Sequence, residues 1–266
     1  MIRRLAILLL GLALFIPRAS ALDQPFDHSV FDQLLKKFVN ENGDVNYAAL
    51  KKDPALLKQY LKQLRRISWM DMRDWPREEL MAFWMNAYHA ALIRNIVVHY
   101  PLKNTHEVPG FWDEDAINVG KRYFGLNKIR VDILFGSYRD PKIHTALSYA
   151  AKGGPTFPRE AFTGPTIEGQ LYKLARLFVN DASKNIIVPG GRDIKISKLF
   201  EWYPGDFTLS FGVFENDRNL SASDFAVLSF LAYYMENDAK VRYLEEGNYK
   251  IKYLPFDWSL NDWKTS

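Results

Sequence analysis

The sequence contains no cysteine, which excludes disulfide bridges and lipid attachment through a processed amino-terminal cysteine. Packing and hydrogen bonding must therefore hold the fold together. An excess of one charge is also missing, because the formal net charge is only +4 and the Lys and Arg residues are scattered among acids. A nucleic-acid-binding protein usually concentrates its positive charge on one face. We therefore expect no nucleic-acid partner.

The chain also lacks a hydrophobic run long enough to predict a membrane span near its amino terminus. Residues 5–16 are apolar, which is short of the ~20 residues that a spanning helix needs. Arg3 and Arg4 precede the run, and the small residues 19–21 (Ala-Ser-Ala) follow it. This order predicts a secretory signal peptide over residues 1–21, with a retained membrane anchor as the alternative. The mature protein is then periplasmic or secreted, without a stable membrane anchor.

Hydrophobic periodicity predicts a helix-rich α+β fold with a small, largely antiparallel sheet. No repeat, linker or low-complexity tract divides residues 22–266, so we expect a single, monomeric globular domain. Strands and helices do not alternate, which argues against a doubly wound parallel sheet. Apolar residues recur at helical spacing in five segments, and three segments have the character of strands. The predicted helices cover residues 26–38, 53–64, 76–98, 166–180 and 221–235, and the predicted strands lie at residues 129–133, 185–197 (a hairpin) and 249–254.

The segment "RDPKIHTALSYAAKGGP", residues 139–155, is the first candidate site. Asp140 followed by proline is typical of a helix start, and His144 lies one turn further on. A carboxylate one turn from an imidazole could orient it as a general base. The alternative is only a helix start with a partly buried histidine. A metal site is disfavoured, because zinc sites need three or four ligands and no second histidine is near in sequence.

Asn86 and His89 are a second candidate pair, on the predicted helix 76–98. They are three residues apart, so both side chains can face one point. They could contact a ligand there. They could equally be core polar groups that are satisfied by the backbone or by each other, as buried polar groups usually are.

Four segments, in this order, resemble the family called domain of unknown function 547. They are "MAFWMNAYHAALI", "RDPKIHTALSYAAKGGP", "ISKLFEWYPGDF" and "LPFDWSLN", and the resemblance extends over roughly residues 31–261. The second motif of the family carries two cysteines, where this chain has Tyr149 and Gly154. An Ile-Glu-His element of the family is similar in place to Ile129-Arg130-Val131 here, and His89 replaces a family asparagine. The resemblance names no reaction.

These departures bear on chemistry. A thiolate activated by histidine would suit a hydrolase or an acyl transferase, whereas a tyrosine phenol, with a pKa near ~10, is a poor nucleophile at neutral pH. An activity based on a thiol would therefore be lost or rerouted in this chain. Asp257, between Phe256 and Trp258, also needs a partner or a shifted pKa, because large apolar groups flank its carboxylate.

Two functional hypotheses follow. The first is noncatalytic binding of a small molecule, a peptide or an envelope component in a cleft around His144, with no cofactor. The second is a hydrolase or acyl transferase in which His144 is the general base, Asp140 or Asp257 orients it, and Tyr149 or Asn86 donates to an oxyanion. Both require His144 to lie beside a cavity. The expected ligand-binding residues are Asn86, His89, Asp206, Asp257 and Trp258, and the expected catalytic residues are His144, Asp140 and Tyr149.

Overall fold

The computed structural model describes residues 26–212 and 220–263. The predicted signal peptide, residues 1–21, lies outside this part of the chain. Among the described residues, no helix combines the length and the apolar character needed to cross a bilayer. The described residues form a helix-rich α+β fold.

The amino-terminal half is a group of helices around one central helix. Glu78 and Glu79 lie in the first turn of that helix, where the helix dipole favours negative charge. Nearly every side chain from Met81 to Ile96 is buried, as an apolar pattern on all faces predicts. The five helices are α1 (Ser29–Phe38), α2 (Tyr47–Lys52), α3 (Ala55–Arg66), α4 (Trp69–Arg73) and the central α5 (Arg77–His99).

A short hairpin and a π-helix follow α5. Strands β1 (Ile117–Val119) and β2 (Arg122–Phe124) pair antiparallel. The π-helix covers Lys128–Phe135 and continues into α6 (Gly136–Tyr138), and a 3-10 helix spans Pro141–Thr145.

The strand predicted at residues 129–133 is therefore wrong. In a strand, Ile129 and Val131 would share one face. In the π-helix Ile129 and Arg130 are buried and Val131 is exposed. Five residues of alternating polarity are compatible with either structure, and the wide helical turn directs Arg130 inward.

The carboxyl-terminal half packs helices beside a two-stranded sheet. The predicted hairpin at residues 185–197 is reduced to a bridge between Ile186 and Lys195. The strand β3 (Asp193–Ile196) pairs in parallel with β4 (Lys250–Tyr253), with Asp193 opposite Lys250, so one small sheet is antiparallel and the other is parallel. The elements are α7 (Ile167–Asn180), β3 (Asp193–Ile196), α8 (Leu199–Trp202), α9 (Pro204–Phe211), α10 (Ala222–Tyr234), α11 (Asp238–Glu246) and β4 (Lys250–Tyr253).

Two hydrophobic cores meet at the segment 139–155. Ile143 and Leu147 belong to the core built around α5. Tyr149 and Ala151 belong to the core built around α7 to α10. The segment therefore lies where the two halves contact each other, which positions its polar side chains between them.

Candidate functional site

Asp140 forms the start of the 3-10 helix and does not pair with His144. Its carboxylate accepts a hydrogen bond from the Lys142 backbone N–H at 2.9 Å and lies 3.3 Å from the Lys142 ammonium. The predicted capping role is confirmed. The predicted orienting role is wrong, because the carboxylate beside the imidazole comes from a different part of the chain.

That carboxylate is Asp206, in the first turn of α9. His144 Nε2 lies 2.9 Å from Asp206 Oδ2, and the imidazole is only 2% exposed whereas the Asp206 side chain is 48% exposed. Burial lowers the pKa of His144, and the hydrogen bond to Asp206 only partly offsets it. The same hydrogen bond lowers the pKa of Asp206. The pair is thus a neutral imidazole that donates Nε2–H to a carboxylate, which leaves Nδ1 as a bare acceptor.

Aromatic rings enclose the imidazole of His144. The Phe135 ring centroid lies 4.0 Å away, Tyr203 stacks at 4.6 Å and Phe207 stacks at 5.8 Å. Nδ1 is buried without a hydrogen-bond partner. The cleft expected around His144 is not among five pockets found on residues 26–212 and 220–263, none of which His144 lines.

Tyr149 and Arg130 form the other half of the polar cluster. The Arg130 guanidinium lies over the rings of Tyr149 and Trp112, at 4.9 Å and 5.1 Å from their centroids. Burial raises the pKa of Tyr149 well above its usual value, although Arg130 opposes the shift. The Tyr149 hydroxyl and Arg130 Nε are both buried without a hydrogen-bond partner.

Tyr203 connects the two halves of the cluster. Its ring stacks on His144, and its hydroxyl is near enough to Tyr149 to contribute to the raised Tyr149 pKa. A weak hydrogen bond to Tyr203 is one cause of that raised pKa, but the Tyr149 hydroxyl has no partner at normal hydrogen-bond geometry. We call Arg130, His144, Tyr149, Tyr203 and Asp206 the polar cluster.

Half-buried aromatic side chains surround Tyr149 on the side of the carboxyl-terminal loop. The ring of Trp258, one of the predicted binding residues, lies 6.3 Å from that of Tyr149 and stacks on Trp202 at 5.8 Å. Phe256 lies 5.8 Å from Tyr149. These rings form a wall beside the polar cluster and leave part of their surface in contact with solvent.

Asp257 points away from this wall and into solvent. Its carboxylate accepts a hydrogen bond from the Ser259 backbone N–H at 2.9 Å, and the hydrogen bonds from Ser259 lower its pKa. It lines a separate pocket of about 300 Å³. Its backbone carbonyl accepts from the Gly153 N–H at 2.8 Å, and a Cβ at Gly153 would lie 2.6 Å from the Asp257 nitrogen. The Gly-Gly sequence therefore permits close docking of the loop.

Asn86 and His89 have structural partners and do not belong to the polar cluster. The Asn86 amide donates to the Phe162 carbonyl at 2.8 Å and accepts from the Phe162 N–H at 2.9 Å. His89 Nδ1 contacts the Met85 carbonyl at 2.9 Å, and Nε2 accepts from the Ser148 N–H at 3.2 Å. Asn86 connects α5 to Phe162, and His89 connects α5 to the segment 139–155. Both are core polar groups with partners, which is the alternative that the sequence allowed.

The sequence analysis did not include Arg130, Trp112 or Tyr203 among the candidate site residues. Arg130 was assigned to the exposed face of a strand, because the alternation at residues 129–133 has the period of a strand. Its position, where the family resemblance implies a Glu, was the available signal. Arg130 and Tyr149 both stand where the family has other residues, and they contact each other.

The donor set does not resemble a metal centre. Among the residues that the structure describes, no three His, Asp or Glu side chains are grouped as metal ligands. The pair His144 and Asp206 has no third ligand of this kind. The cluster instead offers a cation, a phenol and an imidazole acceptor, which together suit hydrogen bonding to an organic ligand.

The comparisons with known proteins find one family to which part of the chain is similar. No curated protein and no solved structure matches it. A family model described as "Protein of unknown function, DUF547" matches residues 72–179. This range includes α5, Arg130 and the segment 139–155, whereas Asp206 and Trp258 lie beyond it. Over residues 72–179, the chain is similar to the DUF547 family.

Proposed function

We propose that this protein is a noncatalytic binding protein that holds a small molecule or a peptide at the polar cluster. One observation carries the proposal. Arg130 Nε, His144 Nδ1 and the Tyr149 hydroxyl are all buried without a hydrogen-bond partner. A buried polar atom without a partner costs about 1–3 kcal/mol. A bound ligand that offers both donors and acceptors would remove this cost.

The grouping of these atoms supports a ligand over accidental imperfections of packing. The other buried atoms without partners, in the described part of the chain, belong to residues outside the cluster: Gln63, Thr105, Asn118 and Asp262. The cluster members are also connected, since Arg130 lies over Tyr149 and Tyr203 stacks on His144. Arg130 is also near enough to His144 to help lower the pKa of the imidazole, so we propose that one ligand contacts all three atoms.

His144 lines none of the five pockets found on the described residues, so the cavity that binding requires has to form by movement of the aromatic side chains that cover the cluster. Tyr203 is half-buried, and it lies between α8 and α9. The junction of two short helices can rotate with a smaller loss of packing than the interior of α5. We propose that displacement of the Tyr203 ring admits the ligand to His144.

The chemistry of Tyr149 favours binding over catalysis. Burial holds its pKa well above the usual value, so the phenol stays protonated and is a poor nucleophile. It stands where the family resemblance implies a cysteine. The site can therefore keep the binding geometry without a reactive thiolate.

A ligand screen tests the proposal. Metabolites, short peptides and cell-wall fragments are screened by thermal shift against the wild type, H144Q and H99Q. Gln at position 144 can still donate to Asp206 but lacks Nδ1, whereas His99 is exposed and bonds only to the Asn95 carbonyl in its own helix. We expect a compound that raises the Tm of the wild type and H99Q by several degrees but not that of H144Q. Stabilisation of H144Q equal to that of the wild type, for every compound, would contradict the proposal.

A second candidate function rests on the hydrogen bond between His144 and Asp206. A carboxylate that holds a neutral imidazole is the arrangement of a general base, as a hydrolase or acyl transferase would need. Hydrolysis of p-nitrophenyl acetate by the wild type and H144Q tests this candidate. Loss of turnover in H144Q alone supports it, and equal rates in the two proteins reject it.

We also propose that the protein is exported to the periplasm or secreted, because residues 1–21 have the order of a signal peptide. Expression of the full chain in a bacterial host and amino-terminal sequencing of the product test this. Export predicts a mature chain that begins at Leu22. A product that retains residues 1–21 would contradict it.

A further inference from the structure

Arg130 is a buried cation that has no carboxylate partner among the described residues. It is 9% exposed, and no Asp or Glu oxygen of the described chain lies within 4.0 Å of its guanidinium nitrogens. Arginine cannot lose its charge in a protein, and buried charges are normally paired. A bound anion would therefore pair the buried charge of Arg130.

The contacts of Arg130 leave one part of the guanidinium available. Trp112 and Tyr149 lie against the group, which holds its plane in place. Nη2 donates to the Asn127 side-chain oxygen at 2.6 Å, and Asn127 in turn donates to Asp113 at 2.7 Å. The Asp113 carboxylate is therefore separated from the guanidinium by the side-chain amide of Asn127. Arg130 Nε has no acceptor.

We infer that Arg130 receives the carboxylate of the ligand, and that His144 Nδ1 accepts a hydrogen bond from an N–H or O–H group beside that carboxylate. The inference rests on the proposed function and gives the ligand its chemical class. That class includes the carboxyl terminus of a peptide, with its amide N–H, and 2-hydroxy acids, with their O–H.

The charges of the cluster favour a ligand with a single negative charge. Arg130 is its one fixed cation, and His144 is neutral because burial lowers its pKa. Asp206 adds a negative charge on the far side of the imidazole. A carboxylate matches one guanidinium in charge and in planar geometry, whereas a phosphate dianion would bring a second charge without a second cation.

The Nε–Hε resonance of Arg130 reports directly on this contact. The signal is assigned in a ¹⁵N-edited NMR spectrum of the full chain by its absence from R130K. The probes are sodium lactate and N-acetylglycine, which carry a carboxylate and a donor, and propionate, which carries no donor. N-acetylglycine amide and sodium chloride, at equal ionic strength, are the uncharged and ionic controls.

We expect lactate or N-acetylglycine to shift the Arg130 resonance in a saturable manner, and the two probes distinguish a hydroxy acid from a peptide carboxyl terminus. Binding to R130K is followed through the backbone amide resonances of residues 144 and 149, and it should be about tenfold weaker than in the wild type, because R130K keeps the charge but loses the Nε donor and the planar group. H144Q should weaken the binding of lactate or N-acetylglycine and leave that of propionate unchanged.

Two results would overturn the inference, and they differ in what they leave standing. If N-acetylglycine amide shifts the resonances of the cluster as strongly as N-acetylglycine, the binding site stands but the role of Arg130 as an anion receptor fails. If no probe shifts the Arg130 resonance, the inference fails, and the ligand screen with H144Q decides the proposed function separately.

Discussion

The free energy of unfolding is expected to fall by about 3 kcal/mol for each pH unit as the pH drops from 6 towards 4. Burial lowers the pKa of His89 from 6.5 to about 3. Burial likewise lowers the pKa of His28 to about 4, against an opposing effect of Asp27. Near pH 5 both groups are therefore still neutral in the folded protein while they bind protons in the unfolded chain, and His28 takes up its proton in the folded protein only near pH 4. Stability that is fully present above pH 6.5 is lost as the pH falls, and His144 acts in the same direction.

Urea unfolding at pH 7, 6, 5 and 4 measures this slope, and H28Q is the matched variant. His28 Nδ1 contacts the Tyr60 hydroxyl at 2.7 Å, and glutamine can retain a hydrogen bond there without titrating. The slope of H28Q should be smaller by about 1.4 kcal/mol per pH unit, the value for one proton. A stability that is constant between pH 6 and pH 4 would show that these imidazoles are protonated in the folded protein.

Substitution of Asn86 by alanine is expected to lower the free energy of unfolding by about 4 kcal/mol. The change removes both hydrogen bonds to Phe162 and leaves its buried N–H and C=O without partners, at about 1–3 kcal/mol each. The small cavity that remains adds to this loss. Chemical denaturation measures the effect.

The control for N86A is N104A, at a more exposed turn. Asn104 caps a 3-10 helix through a single hydrogen bond to the His106 N–H, so its loss should cost about 1 kcal/mol. If N86A were no more destabilising than N104A but abolished ligand binding, Asn86 would be a ligand contact and its structural assignment would be wrong.

Local sequence patterns were sufficient to predict the five longest α-helices, α1, α3, α5, α7 and α10, but not the shorter ones. Helix α7 and the Ser221 cap of α10, which accepts from the Asp224 N–H at 3.0 Å, follow from periodicity and capping preferences that act within a few residues. The π-helix was not predicted because a segment as short as residues 129–133 fits the hydrophobic period of a strand as well as that of a helix. The parallel pairing of β3 with β4 depends on contacts between distant segments, which local patterns do not encode.

The candidate site was predictable in location but not in pairing. The motif segments did bring His144, Tyr149, Asp206 and Trp258 into one region. Asp206 is 62 residues from His144, so spacing along the chain favoured Asp140 as the partner. The carboxylate that is close in sequence, Asp140, instead caps the start of its own helix. Only the tertiary structure shows that Asp206 is the carboxylate beside the imidazole.

The central claim is that the polar cluster is held incomplete until a ligand binds, and Y149F tests it most directly when compared with Y88F. Both tyrosines are buried, but the Tyr88 hydroxyl donates to the Ser148 carbonyl at 2.8 Å, whereas the Tyr149 hydroxyl has no partner. The free energy of unfolding should rise by about 1 kcal/mol in Y149F and fall by about 1 kcal/mol in Y88F. A loss of stability in Y149F as large as that in Y88F would show that the Tyr149 hydroxyl is already satisfied, and would contradict the account.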